Sequence, residues 1–164
     1  MSKAVFFDRD GVLNADTNYP HLPEHIQWIP GVFEAVKAAN EAGYKVFVIT
    51  NQAGVGRGLY TESHVNALHR WMREEFKKHG AAIDDFAYCP HHPTEGQGIY
   101  RVECECRKPK PGMLRELIAR HGVNAAESLL IGDRDSDLQA AKAAHIQGCL
   151  FTGGDLAEFV TALL

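Results

Sequence analysis

The stretch Val5-Phe6-Phe7-Asp8-Arg9-Asp10-Gly11-Val12-Leu13 decides the reading of this chain. An apolar run from Ala4 to Phe7 breaks off in Asp-x-Asp-Gly. Such a run, ended by polar and turn residues, reads as the interior of a strand buried on both faces. Residues two apart on a strand face the same side. Extended geometry past Phe7 therefore aims Asp8 and Asp10 together and turns Arg9 away. Gly11 then allows a sharp turn. Two carboxylates at the end of a buried strand make a hard, oxygen-rich site suited to Mg²⁺. One of them can also attack phosphorus, as in enzymes that pass through an aspartyl phosphate. Asp-x-Asp-Gly also opens calcium loops of the EF-hand type, which need Glu at the twelfth position. Counted from Asp8, that position is Tyr19.

Outward from this stretch, strand-like and helix-like patterns alternate. Gly31 to Ala42 reads as a helix with Val32, Phe33, Val36 and Ala39 on one face and Gly43 as its stop. Lys45 to Thr50 is a second buried strand, followed by a Gly-rich loop, Asn51 to Tyr60. Thr61 caps a helix to about His79, where Val65, Leu68, Met72 and Phe76 recur at helical spacing. Ile83 to Tyr88 is a third strand, Cys89 to Lys110 is irregular, and Pro111 suits the first turn of a helix. Ser128 to Ile131 and Gly148 to Phe151 read as strands, and Asp135 to Ala144 and Asp155 to Leu163 as helices. This order predicts an α/β fold with a Rossmann-like parallel sheet and helices on both faces. Ligands of such sheets bind beyond the carboxyl ends of the strands, where the polar motifs lie.

The bulk numbers fit one domain over residues 1–164, with 45% apolar and 23% charged residues. A net charge of −4 and no long basic run argue against nucleic-acid binding. No segment approaches the roughly 18 apolar residues of a membrane span, and no signal-peptide pattern opens the chain. The expectation is a cytoplasmic protein, with no membrane partner, whose cysteines are thiols or metal ligands.

Two further strand ends carry chemistry. Thr50 closes the second strand, where its hydroxyl and the N–H groups that follow can hold a phosphoryl oxygen. Gly132-Asp133-Arg134-Asp135-Ser136-Asp137 closes the fourth, so Asp133 can complete a Mg²⁺ shell, while Asp135 or Asp137 caps the next helix. Between them, Arg107-Lys108-Pro109-Lys110-Pro111-Gly112 offers cations on a proline-stiffened loop. Cys89, His91, Cys104 and Cys106 form a soft ligand set for a closed, structural Zn²⁺ site in the loop 89–106, with His92 as the rival of His91. Cys149 stands apart as an inert buried thiol.

Asp8-Arg9-Asp10-Gly11-Val12, Ile49-Thr50-Asn51-Gln52, Arg107 to Gly112 and Gly132-Asp133 with Asp137 resemble the four motifs of the haloacid dehalogenase (HAD) superfamily of phosphatases, in the right order. The resemblance implies catalytic Mg²⁺ and an aspartyl-phosphate intermediate. It implies Asp8 as nucleophile, Asp10 as general acid and base, and Thr50 and Lys108 on the phosphoryl group. Asp8, Asp133 and the main chain of Asp10 would hold the metal. Cys-Pro-His-His-Pro with Cys-x-Cys-Arg-Lys-Pro is similar to the zinc-bearing branch that holds heptose bisphosphate and histidinol-phosphate phosphatases. The stretch Asn51 to Gly58 is closer to the heptose group, although Ala53 stands where that group usually has Ser. This implies a small sugar phosphate as substrate, in a route to nucleotide-activated heptose and lipopolysaccharide. Asp16, Asn18, Tyr19, Asn51, Gln52, Ala53, Arg107 and Arg134 would contact the substrate. Arg107, or else Arg57, would read a second phosphate. Neither usual insertion point holds a cap domain, and a monomer is expected. A polynucleotide 3′-phosphatase is a further alternative, because an uncapped site admits large substrates.

Overall fold

The computed structural model describes residues 1–164. At its centre lies a strand, Ala4–Asp8 (β1), buried at every residue. Its flanking strands are Lys45–Asn51 (β2) and Leu129–Gly132 (β4). Asp85–Cys89 (β3) and Gln147–Leu150 (β5) form the edges. All pairings are parallel, in the order β3-β2-β1-β4-β5. The helices are Val32–Glu41 (α1), Ala53–Gly56 (α2), Glu62–Lys78 (α3), Gly112–His121 (α4), Asp135–Ala143 (α5) and Leu156–Thr161 (α6).

Strand alternation sorts the apolar residues between two cores. Val5, Phe7, Val46, Val48 and Ile131 pack with α1, α3 and α6 on one face. Ala4, Phe6, Phe47, Ile49 and Leu130 pack with α4 and α5 on the other. Burying Phe6 and Phe7 completely contributes roughly 1.5–3 kcal/mol each. The chain steps outward from β1 through β2 to β3, then crosses over to β4 and β5. The reversal of order at β1 and β4 opens a crevice beyond their carboxyl ends, where ligands of such sheets bind. No helix is long and apolar enough to cross a membrane.

Most boundaries shift from the sequence reading by a residue or two, and three of the differences bear on the site. The third strand was expected over 83–88 but pairs over Asp85–Cys89. Asp84 Oδ2 accepts from Val46 N at 2.8 Å, so a side chain occupies the ladder position before the strand begins. The Gly-rich loop contains the single helical turn α2. Pro111 is the N-cap of α4 rather than part of its first turn, and Gly112 opens the helix. A Cβ on Gly112 would lie 2.2 Å from the Glu105 carbonyl oxygen, so this helix starts hard against the cysteine loop.

Candidate active site

Asp8 is the last residue of β1, and beyond it the strand pattern fails. The amides of Leu13 and Asn14 return to the Arg9 carbonyl at 2.9 and 3.3 Å, which closes a tight turn. The turn, not strand alternation, brings Asp8 and Asp10 to one cavity. It also corrects the expectation that Arg9 points away from the two aspartates. Arg9 is 1% exposed and bonded to Asp10. Gly11 has φ 97°, and a Cβ there would lie 2.1 Å from Asp133 Oδ2. Only glycine meets both conditions.

Four charged side chains converge under the cavity. Lys108 Nζ donates to Asp8 Oδ1 at 2.8 Å and to Asp137 Oδ1 at 2.5 Å. Asp137 Oδ2 accepts from the amides of Asp133 and Arg134, both at 3.2 Å, so it also caps α5. Burial pushes the Asp8 carboxyl well above the usual carboxylate range; Lys108 pulls it back and Asp137 adds to the rise. Burial opposes the charge of Lys108 too, but Asp8 and Asp137 outweigh it and hold the ammonium protonated. A further cation beside Asp8 would keep its carboxylate ionised. Asp133 Oδ1 is buried without a hydrogen-bond partner. Carboxylate oxygens of Asp8, Asp133 and Asp137 lie within 4.8 Å of one another. An unpartnered buried oxygen in an acidic group is a fit for a hard divalent cation such as Mg²⁺.

The Lys108 loop is fixed by Asn51, whose Oδ1 accepts from Lys108 N at 3.0 Å and whose Nδ2 donates to Lys108 O at 3.2 Å. Gln52 Nε2 donates to Thr50 Oγ1 at 2.8 Å and to Asp10 Oδ2 at 3.2 Å. Tyr60 donates to Gln52 Oε1. Burial first, with Asp10 adding to it, pushes the Tyr60 phenol up to about 12, so it remains a donor and sets which way the Gln52 amide faces. Asp10 accepts from Arg9 Nε and Nη2 at 2.8 and 3.1 Å and from Asn14 Nδ2 at 3.0 Å.

Above this floor is a cavity of about 310 Å³. Asp8, Asp10, Thr50 and Lys108 line it, and so do Asp16, Asn18, Tyr19, Asn51, Gln52, Ala53, Arg107 and Arg134. Asn18 and Tyr19 have φ of 33° and 60°, which turns their loop over the cavity. Arg134 meets Asp16 at 3.0 Å across the rim, an exposed pair of little energetic weight. Arg57 is outside the lining and lies 3.9 Å from Glu95. Asp133 sits below the cavity rather than in its wall. Tyr60 and Ser136 were not foreseen as lining residues. Tyr60 carried only a weak signal, an aromatic at the end of a Gly-rich loop.

Cys89, the end of β3, meets the rest of its loop in a second cluster. Cys89 Sγ lies 3.4 Å from Cys104 Sγ and 2.8 Å from Cys106 Sγ, and the latter two are 3.3 Å apart. His91 Nδ1 is 3.6 Å from Cys89 and 3.4 Å from Cys106. The three cysteines are free thiols. A zinc tetrahedron with Zn–S near 2.3 Å has edges of about 3.7 Å, so the donor set fits after slight spreading. His92 does not join this group; its Nδ1 accepts from the amides of Thr94 and Glu95 at 3.2 and 2.9 Å. Glu62 ties the loop to α3 by accepting from Tyr88 and Tyr100 at 2.6 and 2.7 Å.

A buried aspartate at the end of the central strand, backed by a lysine and two further aspartates at the switch point of a doubly wound sheet, is an arrangement suited to phosphoryl transfer. A family profile described as HAD-hydrolase-like matches residues 105–158. D-glycero-beta-D-manno-heptose-1,7-bisphosphate 7-phosphatase of Rhodopseudomonas palustris is 48% identical over 98% of this chain and 89% of its own length. The alpha-anomer counterpart of Burkholderia mallei is 44% identical over 88% of this chain and 77% of its own. The solved D,D-heptose 1,7-bisphosphate phosphatase of B. bronchiseptica, complexed with magnesium and phosphate, superposes with a TM-score of 0.81 at 33% identity. It covers 99% of this chain and 87% of that one. The chain belongs to the HAD superfamily, among its heptose bisphosphate phosphatases.

Proposed function

We propose that this protein removes the C7 phosphate of D-glycero-D-manno-heptose 1,7-bisphosphate through an aspartyl phosphate on Asp8. The observation that carries the chemistry is the buried Asp8–Lys108–Asp137 arrangement beside the unpartnered oxygen of Asp133. The substrate is supported by the names and coverage of the relatives.

In the first half-reaction a carboxylate oxygen of Asp8 attacks phosphorus in line. The bond from phosphorus to the C7 oxygen breaks, and Asp10 gives that oxygen its proton. In the second, Asp10 takes a proton from water, which attacks the same phosphorus and frees the Asp8 carboxylate. Asp10 serves both halves because its four N–H contacts fix its direction. Lys108 and Thr50 hold the phosphoryl oxygens, and Asp137 keeps Lys108 in place. Mg²⁺, held by the carboxylates of Asp8 and Asp133 and the main chain of Asp10, would supply Lewis-acid neutralisation of phosphoryl charge. Zn²⁺ on Cys89, His91, Cys104 and Cys106 would be structural. It would aim Arg107, whose Nη1 lies 3.5 Å from the His91 carbonyl oxygen.

Arg107 on one wall and Arg134 on the rim are the cations for the remote C1 phosphate. Relatives of both anomeric names align along most of the chain, so the proposal covers either anomer. Residues 1–164 act as one domain, a cytoplasmic monomer without nucleic-acid or membrane partners. The test is kcat/KM for heptose 1,7-bisphosphate, a heptose monophosphate, histidinol phosphate and a 3′-phosphorylated oligonucleotide. The bisphosphate should lead, and Arg107→Ala should narrow its margin over the monophosphate. Histidinol phosphate in first place overturns the substrate assignment.

A further inference from the structure

Arg9 heads the largest fully buried side chains of the molecule, and the chemistry above uses it only for two of the contacts that fix Asp10. Its Nε and Nη2 face the two oxygens of Asp10 side-on, at 2.8 and 3.1 Å. Nη2 also donates to the Pro20 carbonyl at 2.9 Å. The remaining terminal nitrogen, Nη1, meets His69 Nε2 at 3.2 Å. A guanidinium has donors only, so His69 Nε2 accepts, and the imidazole is neutral with its proton on Nδ1. His69 is 4% exposed on α3 and lies against the Phe86 ring of edge strand β3, with centroids 4.5 Å apart and planes 15° from parallel. That stacking fixes the ring plane and with it the direction of the Nε2 lone pair.

A side-on fork holds a carboxylate in one plane only while the guanidinium itself cannot rotate. Two anchors outside the fork prevent rotation here, the Pro20 carbonyl on Nη2 and His69 on Nη1. We propose that His69 is a positioning residue for the reaction: by accepting from Arg9 Nη1 it locks the guanidinium that aims Asp10 at the leaving oxygen. This rests on the reading of Asp10 as general acid. His69 touches neither substrate nor reacting atoms. It sits at the base of a second, open pocket between α3 and β3, lined also by Asn66, Arg73 and Phe86.

A purely structural His69 would affect all substrates alike. A residue that aims the acid matters only where the leaving group needs a proton. The experiment compares kcat/KM, which reports steps up to departure of the leaving group, for heptose 1,7-bisphosphate and for p-nitrophenyl phosphate. The first leaves as an alkoxide that must be protonated; the second leaves as a stabilised phenolate. His69→Phe keeps the stacked ring and loses the acceptor. It should lower kcat/KM for the sugar about 10-fold, the scale of a small misalignment, and for the aryl ester less than about 3-fold. Its inhibition constant for inorganic phosphate should stay within about 2-fold. His69→Gln, with an oxygen close to the Nε2 position, should recover most of the sugar activity. Asp10→Asn measured on the same two esters calibrates the test. If Asp10→Asn splits the two substrates and His69→Phe lowers both equally, or neither, the role of His69 is overturned while that of Asp10 stands. If Asp10→Asn produces no split, the reading of Asp10 fails and this role fails with it. Should His69→Phe not fold, His69→Asn, whose side chain is too short to reach Arg9, is held to the same criteria.

Discussion

Lys108→Met removes the only cation between two buried carboxylates. Lys108 is 6% exposed, Asp8 6% and Asp137 fully buried. Breaking a buried ion pair by deleting one partner typically costs about 3–5 kcal/mol, because the other charge is left unpaired. Here two are left, but Asp8 can take a proton, so the lower half of that range is expected. For a chain of this length about 2–4 °C of Tm accompanies each kcal/mol, which gives a fall of roughly 6–16 °C. Trp28 and Trp71, partly buried against the core, stack 5.8 Å apart and provide a fluorescence signal for urea unfolding, measured near neutral pH without added Mg²⁺. Asp137→Asn alone should also destabilise, since its amide then faces the ammonium. Combined with Lys108→Met it should cost less than the sum, because one buried charge has gone with its partner. A Lys108→Met cost below about 1 kcal/mol, or strict additivity in the double variant, refutes the argument.

Asp8→Asn should abolish turnover while the protein stays folded, and near-normal kcat would refute the aspartyl-phosphate route. Metal analysis should find about one Zn²⁺ per chain. Cys104→Ser should then lower kcat/KM without rescue by Mg²⁺ and speed hydrogen exchange around residues 104–108, but not at Tyr100, which Glu62 holds independently. Zinc-free protein with full activity would refute this. Burial, together with Arg9 and Arg73, holds the His69 pKa well below its ordinary value of 6.5. The unfolded chain therefore binds the proton more readily, and the resulting stability is complete above about pH 6.5 and lost as pH falls below it. His69→Gln removes that term, so its urea midpoint should fall less than the wild type's between about pH 7 and pH 5; equal slopes refute it.

Much of the sheet was legible because its strands are apolar runs whose polar residues begin where pairing ends. The Ala4 to Phe7 run, the KVFVIT stretch and the Leu129 to Ile131 run are buried on both faces, and nothing else in such a chain can hide them. The carboxylates, Thr50, Lys108 and the cysteine set stood out for the same reason: each lies at or just beyond a strand end or in a loop between elements. Arg9 was misread because alternation holds only while a strand is paired, and β1 stops at Asp8. Asp137 was foreseen, with Asp135 as the alternative, as a helix cap but not as the partner of Lys108, which is 29 residues away. His69 was passed over although it follows Leu68 and lies four residues after Val65, on the apolar face of its helix. Its partner Arg9 is 60 residues away. His91 and His92 are adjacent in sequence, and only the turn through Thr94 and Glu95 decides which one reaches the cysteines. Sequence alone determined which segments form the strands and which chemistry gathers near their ends, because burial and turn chemistry are local. Which charges pair, and which way each acid points, was decided by tertiary structure, because buried partners are chosen by contacts between segments remote along the chain.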